Sequence, residues 1–236
     1  EGKHYGGPVA ASNALAWLAR ERKYDRLLPE GKLDSRLQGR LARRLGGRGY
    51  MNTETQRQTG TPAALRGIGK LLAEKGYSAD FAYQGWRRVE KKFRAGWPWP
   101  DIDWVKGSLQ GDSMVLLIVG WYRHDTDKDT YQRSGGHWVT LAGYGVDEKG
   151  RADEGVLLIH DPSPRAGMKP AVEYVRMEPI ASGRLVGNSS MPKGANSAVG
   201  FYRLGGGMHL NAERGDVCIL DGAVVVSLEK PVPARK

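Results

Sequence analysis

The chain has 236 residues, of which 40% are hydrophobic and 33 are glycine, and this is enough for one domain with a substantial core. No run of about eighteen apolar residues occurs, which excludes a helical membrane span. The net charge of +10 favours acidic partners, yet the basic residues are scattered and carry no zinc-finger, RNA-binding or homeodomain pattern, so no specific nucleic-acid partner is expected. The single cysteine, Cys218, excludes an internal disulfide.

In chain order, His4 to Leu18 reads as a tight glycine loop running into a helix. Pro8 suits a first helical turn, Ala10, Ala11, Ala14 and Ala16 are strong helix formers, and Leu15 and Leu18 complete an apolar stripe. Such a helix presents unsatisfied N–H groups and its positive dipole end at Gly6-Gly7. Tyr24 to Gly46 reads as basic and helical, with Leu33, Leu37, Leu41 and Leu45 inward and Arg36, Arg40, Arg43 and Arg44 in water. A polar loop from Gly46 to Gly60 follows. Thr61 then reads as an N-cap, Pro62 as the first helical position and Gly76 as the stop.

Tyr77 to Tyr83 alternates as a strand does, and Asp101 to Gln110 suits a short helix. Between them, Trp97-Pro98-Trp99-Pro100 fits neither helix interior nor central strand; its tryptophans suit either a substrate groove or a lid over the core. The apolar run from Ser113 to Tyr122 suits a strand covered on both faces. Further strands are expected after Gly136, from Val156 to Asp161, and at 172–177, 199–204, 217–220 and 223–228, the last two joined by an Asp221-Gly222 hairpin turn. Helices gather in 1–110 and strands in 111–236, an α+β layout within a single domain spanning 1–236.

Three segments carry chemistry. Tyr5-Gly6-Gly7-Pro8 opens the first helix, Gly135-Gly136-His137-Trp138-Val139-Thr140 opens a strand, and Leu158-Ile159-His160-Asp161-Pro162 ends one. Together they resemble the papain-like cysteine peptidases, in particular the bacteriocin-leader-processing branch, whose Tyr-Cys-Gly-Pro motif appears here with Gly6 in the cysteine's place. The resemblance implies a papain-like fold, a helical half packed on an antiparallel sheet, with His137 as base and Asp161 orienting it. It also implies a peptide or protein ligand held near Gly7, Gly136 and Trp138, no cofactor or metal, and a secreted or periplasmic bacterial setting. The spacing of about 130 residues from Gly6 to His137 is that of papain-like enzymes. The family's oxyanion-hole glutamine would fall at or before Glu1. A glycine has no side chain with which to attack a carbonyl, so a peptidase of this sequence is expected to be inactive, either as a natural pseudoenzyme or as an enzyme whose cysteine has been substituted. The alternative is a binding module for a peptide or acidic partner.

Two other features carry weaker signals. Asp125, Asp127 and Asp129 match the first ligands of a calcium loop, but Thr130 and Gly136 stand where its glycine and glutamate belong. Ser12 and Cys218 have no motif that would make either a replacement nucleophile.

Overall fold

The structure, a computed structural model, describes residues 4–28, 35–163, 172–187, 196–206 and 215–229. Among the described residues five α-helices lie in the first half: α1 (Gly6–Glu21), α2 (Ser35–Gly46), α3 (Thr53–Gln56), α4 (Thr61–Glu74) and α5 (Ile102–Gly107). The strands are β1 (Ala79–Gly85), β2 (Ser113–Asp125), β3 (Thr130–Val146), β4 (Ala152–His160), β5 (Glu173–Pro179), β6 (Arg184–Val186), β7 (Asn196–Ser197), β8 (Tyr202–Gly206) and β9 (Val217–Leu228). The layout is α+β, with β1 contributed by the helical half.

Among the described residues the nine strands form one sheet, and part of it closes on itself. β2 pairs β3, β3 pairs β4, β4 pairs β5, β5 pairs β8, β8 pairs β9, and β9 returns to β2. The ring is antiparallel throughout; the parallel β3–β6 pairing lies outside it. Closure leaves those strands no free edge over the paired stretches.

Alternation along the strands divides the core. Val115, Leu117 and Val119 of β2 join Val139 and Leu141 of β3 and Ala223 and Val225 of β9 inside the ring. Leu116, Ile118, Trp138, Val224 and Val226 face the other way, onto Ala11, Leu15 and Leu18 of α1 and Leu65, Ile68 and Leu72 of α4. Thr140 Oγ1 donates to the Ala10 carbonyl at 2.7 Å, tying α1 to β3 in the buried layer.

Several sequence expectations are met and several are not. Leu37, Leu41 and Leu45 of α2 are buried while Arg36, Arg40, Arg43 and Arg44 are exposed; Leu33 lies outside the described residues. α4 takes Gly60, in extended geometry, as its N-cap, and Thr61 is already helical. The short helix α5 is capped by Asp101, whose Oδ1 accepts the Trp104 N–H at 2.9 Å. No hairpin forms at Asp221-Gly222. β9 runs straight through both residues because partners grip it on each edge: Gly222 pairs Gly85 of β1 and Ile118 of β2. Asp221 is the extra residue of a bulge between the Ile118–Gly222 and Val119–Leu220 pairs. The local Asp-Gly turn signal yields to long-range pairing.

Two glycines of α4 give a prediction whose sign changes within one turn. A Cβ on Gly67 would stand 2.7 Å from the Met51 amide nitrogen and 2.8 Å from the Tyr50 carbonyl carbon, backbone atoms that cannot swing aside. A Cβ on Gly69 would meet the Phe81 ring at 3.4 Å, ordinary contact. Alanine gains about 1 kcal/mol over glycine in a helix, whereas overpacking costs about 1–3 kcal/mol. Gly69→Ala should therefore raise the urea midpoint and Gly67→Ala should lower it.

Candidate functional site

α1 begins at Gly6, with Tyr5 as its N-cap. Tyr5 provides no side-chain cap to the first turn. Instead its ring lies where a Cβ on Gly46 would be, at the end of α2, and its hydroxyl donates to Glu54 Oε1 of α3 at 2.7 Å. The backbone there is held from the side, and the first N–H groups of the helix receive no cap from the Tyr5 side chain.

His137 stands on β3 opposite Val119 of β2. A Cβ built on Gly6 would meet His137 Nδ1 at 2.9 Å and Cε1 at 3.0 Å. The other ring nitrogen, Nε2, lies 2.5 Å from Asp161 Oδ1. Asp161 follows the last residue of β4, and its Oδ1 also accepts the Ser163 N–H at 2.7 Å, an Asx-type turn through Pro162. The carboxylate side chain is fully buried and the imidazole is 14% exposed. A neutral imidazole that donates from Nε2 to a carboxylate keeps its acceptor lone pair on Nδ1, which here faces residue 6. The structure thus brings Gly6, His137 and Asp161 into one line, from three elements far apart in the chain. The imidazole edge also fills the volume that any side chain at position 6 would need.

Gly7 and Trp138 build the wall of this site. A Cβ on Gly7 would be 2.7 Å from Thr59 Cβ, so only glycine admits the 53–59 segment so close to α1. The Trp138 indole is 6% exposed within the helix-side core, and its N–H donates to the Thr59 carbonyl at 2.9 Å. Thr59 Oγ1 in turn bonds Thr53 Oγ1 at 2.7 Å. Gly136, by contrast, is exposed. Thr59, Tyr5 and Glu54 have no signal in the sequence for these roles, since each acts only through a contact across the fold.

Matched against protein-family models, curated proteins and solved structures, the chain finds no counterpart. Its chemistry is therefore read from its own residues.

Other candidates fall elsewhere. Ser12 is fully buried and donates to the Val9 carbonyl at 2.8 Å, a helix-internal bond. Cys218 is buried on β9, where burial, then Asp221 and Asp161, hold its thiol well above the ordinary pKa. Asp125, Asp127 and Asp129 lie at the β2–β3 connection. There Asp125 accepts the Lys128 N–H and pairs with its ammonium, so its carboxylate closes the turn from within. Trp97 stacks on Trp99 with ring centroids 5.0 Å apart, and Trp99 seats on Gly200; Trp97 is 57% exposed. No helix among the described residues is long and apolar enough to cross a membrane.

Proposed function

We propose that the chain is a papain-like cysteine-peptidase domain without its nucleophile, which holds an extended peptide at the start of α1 but does not cut it. The observation that carries this reading is the imidazole of His137 set between residue 6 and Asp161, with Nδ1 toward the helix terminus and Nε2 on the carboxylate. In thiol peptidases a base takes the thiol proton, a third group orients the base, and donors at a helix terminus receive the oxyanion. Here His137, Asp161 and the start of α1 would fill those roles, and the attacking atom is missing. A secreted or periplasmic setting belongs to the same reading.

What the remaining groups can do is bind. Peptide amides lying across the helix start would meet N–H groups and, from His137, an acceptor or a donor according to protonation. The direct check is titration of the protein, labelled with nitrogen-15 at histidine and glycine, with a degenerate pool of short unstructured peptides up to about 1 mM, the weak end of specific affinity. Binding should move the His137 imidazole and the Gly6 and Gly7 amide resonances together. Peptides that bind while these three stay still would place the ligand elsewhere and end the proposal.

A further inference from the structure

The cross-strand pair next to Val119–His137 is Gly120–Gly136, and the space their side chains would take is filled by an ion pair. Asp221 Oδ2 and the edge of the Tyr122 ring share the place of a Cβ on Gly120, and the Arg133 guanidinium occupies that of a Cβ on Gly136. Arg133 Nε donates to Asp221 Oδ2 at 2.6 Å, and the Tyr122 hydroxyl donates to the same oxygen at 3.1 Å. The carboxylate is wholly buried, and the Arg133 side chain is nearly so. Burial works against the Arg133 charge, but Asp221 and then Tyr122 outweigh it and raise the guanidinium above its ordinary pKa.

The pair also joins two irregularities. On β9, Asp221 is the bulged residue beside the Val119–Leu220 pair; on β3, Ser134 is the extra residue between the Trp121–Gly135 and Tyr122–Arg133 pairs. The His137 position therefore lies between two bulges, where ladder pairing alone leaves the twist of β3 loosely set. Buried ion pairs seldom exceed apolar pairs of equal volume in stability, and Asp221 Oδ1 has no hydrogen-bond partner among the described residues, a further cost. What this pair supplies and an apolar pair cannot is direction, since the Arg133 Nε–H and the Tyr122 hydroxyl both aim at the one oxygen, Asp221 Oδ2.

We propose that Arg133 and Asp221 are positioning residues for His137. Laid across Gly120 and Gly136, they set the backbone of β3 at the adjacent residue so that the imidazole reaches Asp161 with one nitrogen and residue 6 with the other. The role rests on the His137–Asp161 contact itself; its purpose rests on the peptidase-like reading above.

The test is the exchange of the His137 Nε2 proton with solvent, followed by nitrogen-15 imidazole spectroscopy on the protein with Gly6 unchanged, which needs no activity. The double variant Arg133→Met/Asp221→Asn removes both charges together, so neither member of the pair is left without the other; Arg87 nearby loses the Asp221 charge and the Arg133 repulsion at once, and the asparagine amide oxygen would still accept from Tyr122. It should unfold cooperatively as the parent does, yet its Nε2 proton should exchange about tenfold faster, the signature of a local opening. Arg133→Lys, which keeps the charge without the Nε–H donor, should fall between the two. A folded double variant with parental Nε2 shift and exchange overturns the proposal and leaves the pair a packing element. If the double variant does not fold, Tyr122→Phe, which removes only the hydroxyl on Asp221 Oδ2, takes its place: several-fold faster exchange supports the proposal, and parental exchange overturns it. Should the Nε2 proton respond while a thiol introduced at position 6 stays ordinary, the positioning role stands and the peptidase-like reading falls.

Discussion

A Gly6→Cys variant should carry a thiol that alkylates about tenfold faster at pH 6 than an ordinary cysteine, and the excess should vanish when His137→Ala is added. The magnitude follows from two opposed terms. If the His137 imidazole lowers the thiol pKa from about 8.5 to about 6, the thiolate fraction at pH 6 rises from roughly 0.3% to about one half, roughly 150-fold. Intrinsic nucleophilicity falls with pKa by a Brønsted slope of about 0.4–0.5, which over about 2.5 units costs roughly 13-fold. Ionisation wins at acid pH, and the advantage is gone by about pH 7.4, where the ordinary thiol is roughly 7% ionised and the two factors cancel. The rate should therefore rise through the lowered pKa and then flatten, rather than climb steadily to about pH 9.

The geometry adds a condition. A Cβ at residue 6 would stand 2.9 Å from Nδ1, and ordinary contact begins near 3.4 Å, so the ring must give by about half an ångström. Anchored at Nε2 by Asp161, it can pivot but not leave. Asp161→Asn in the Gly6→Cys background should therefore weaken the acceleration without abolishing it, because the ring would keep its place but lose the carboxylate acceptor that fixes its tautomer. The native cysteine does not interfere, since Cys218 is buried with its thiol pKa raised and should stay silent until the protein unfolds. A slow thiol in both backgrounds would mean that the site is built around the glycine, and the binding-module reading would replace the peptidase-like one.

The parts legible in the sequence are those whose cause is local. Gly-Gly-Pro followed by alanines at 6–16 makes a helix wherever it is placed, and Ser113 to Tyr122 is too apolar for anything but a covered strand. Val156 to Asp161 reads as a strand with its carboxylate at the tip, as found. Ring closure cannot be read in this way, since β2–β9 joins residues 95 to 114 apart and no local pattern names the partner. The Asp221-Gly222 turn fails for the same reason: a turn signal speaks for two residues, while the pairing of Gly222 with both Gly85 and Ile118 speaks for three strands. At the site, Asp161 is legible as the tip of a strand, whereas His137 does not open one as its Gly135-Gly136 prelude suggests: β3 already runs from Thr130, because Tyr122 to Asp125 of β2 pair that earlier stretch. That the imidazole occupies the volume of a side chain at residue 6 is a fact of packing between α1 and β3, and so is the burial of Trp138.

Trp138→Ala is the substitution expected to harm the fold most, by about 3–5 kcal/mol, the usual cost of emptying a large aromatic site in a core. The indole lies between Ile118, its cross-strand neighbour, and the apolar face of α1, in a layer whose other members are held by backbone pairing and cannot collapse into the gap. Trp138→Phe separates packing from polarity. Phenylalanine keeps most of the apolar contact but cannot donate to the Thr59 carbonyl, and a single such bond contributes about 0.5–1.5 kcal/mol. In urea the Phe variant should lose little beyond that. Its larger effect should be local: Thr59 sits against Gly7, so once its carbonyl is released the 53–59 segment can move away from the start of α1. The Gly6 and Gly7 amide resonances should then shift, and protease cleavage within 53–59 should quicken, while the unfolding midpoint barely changes. If instead the Phe variant loses stability as the Ala variant does, with those amides unmoved, Trp138 serves the core alone, and the wall of the site is held by Thr53 and Tyr5.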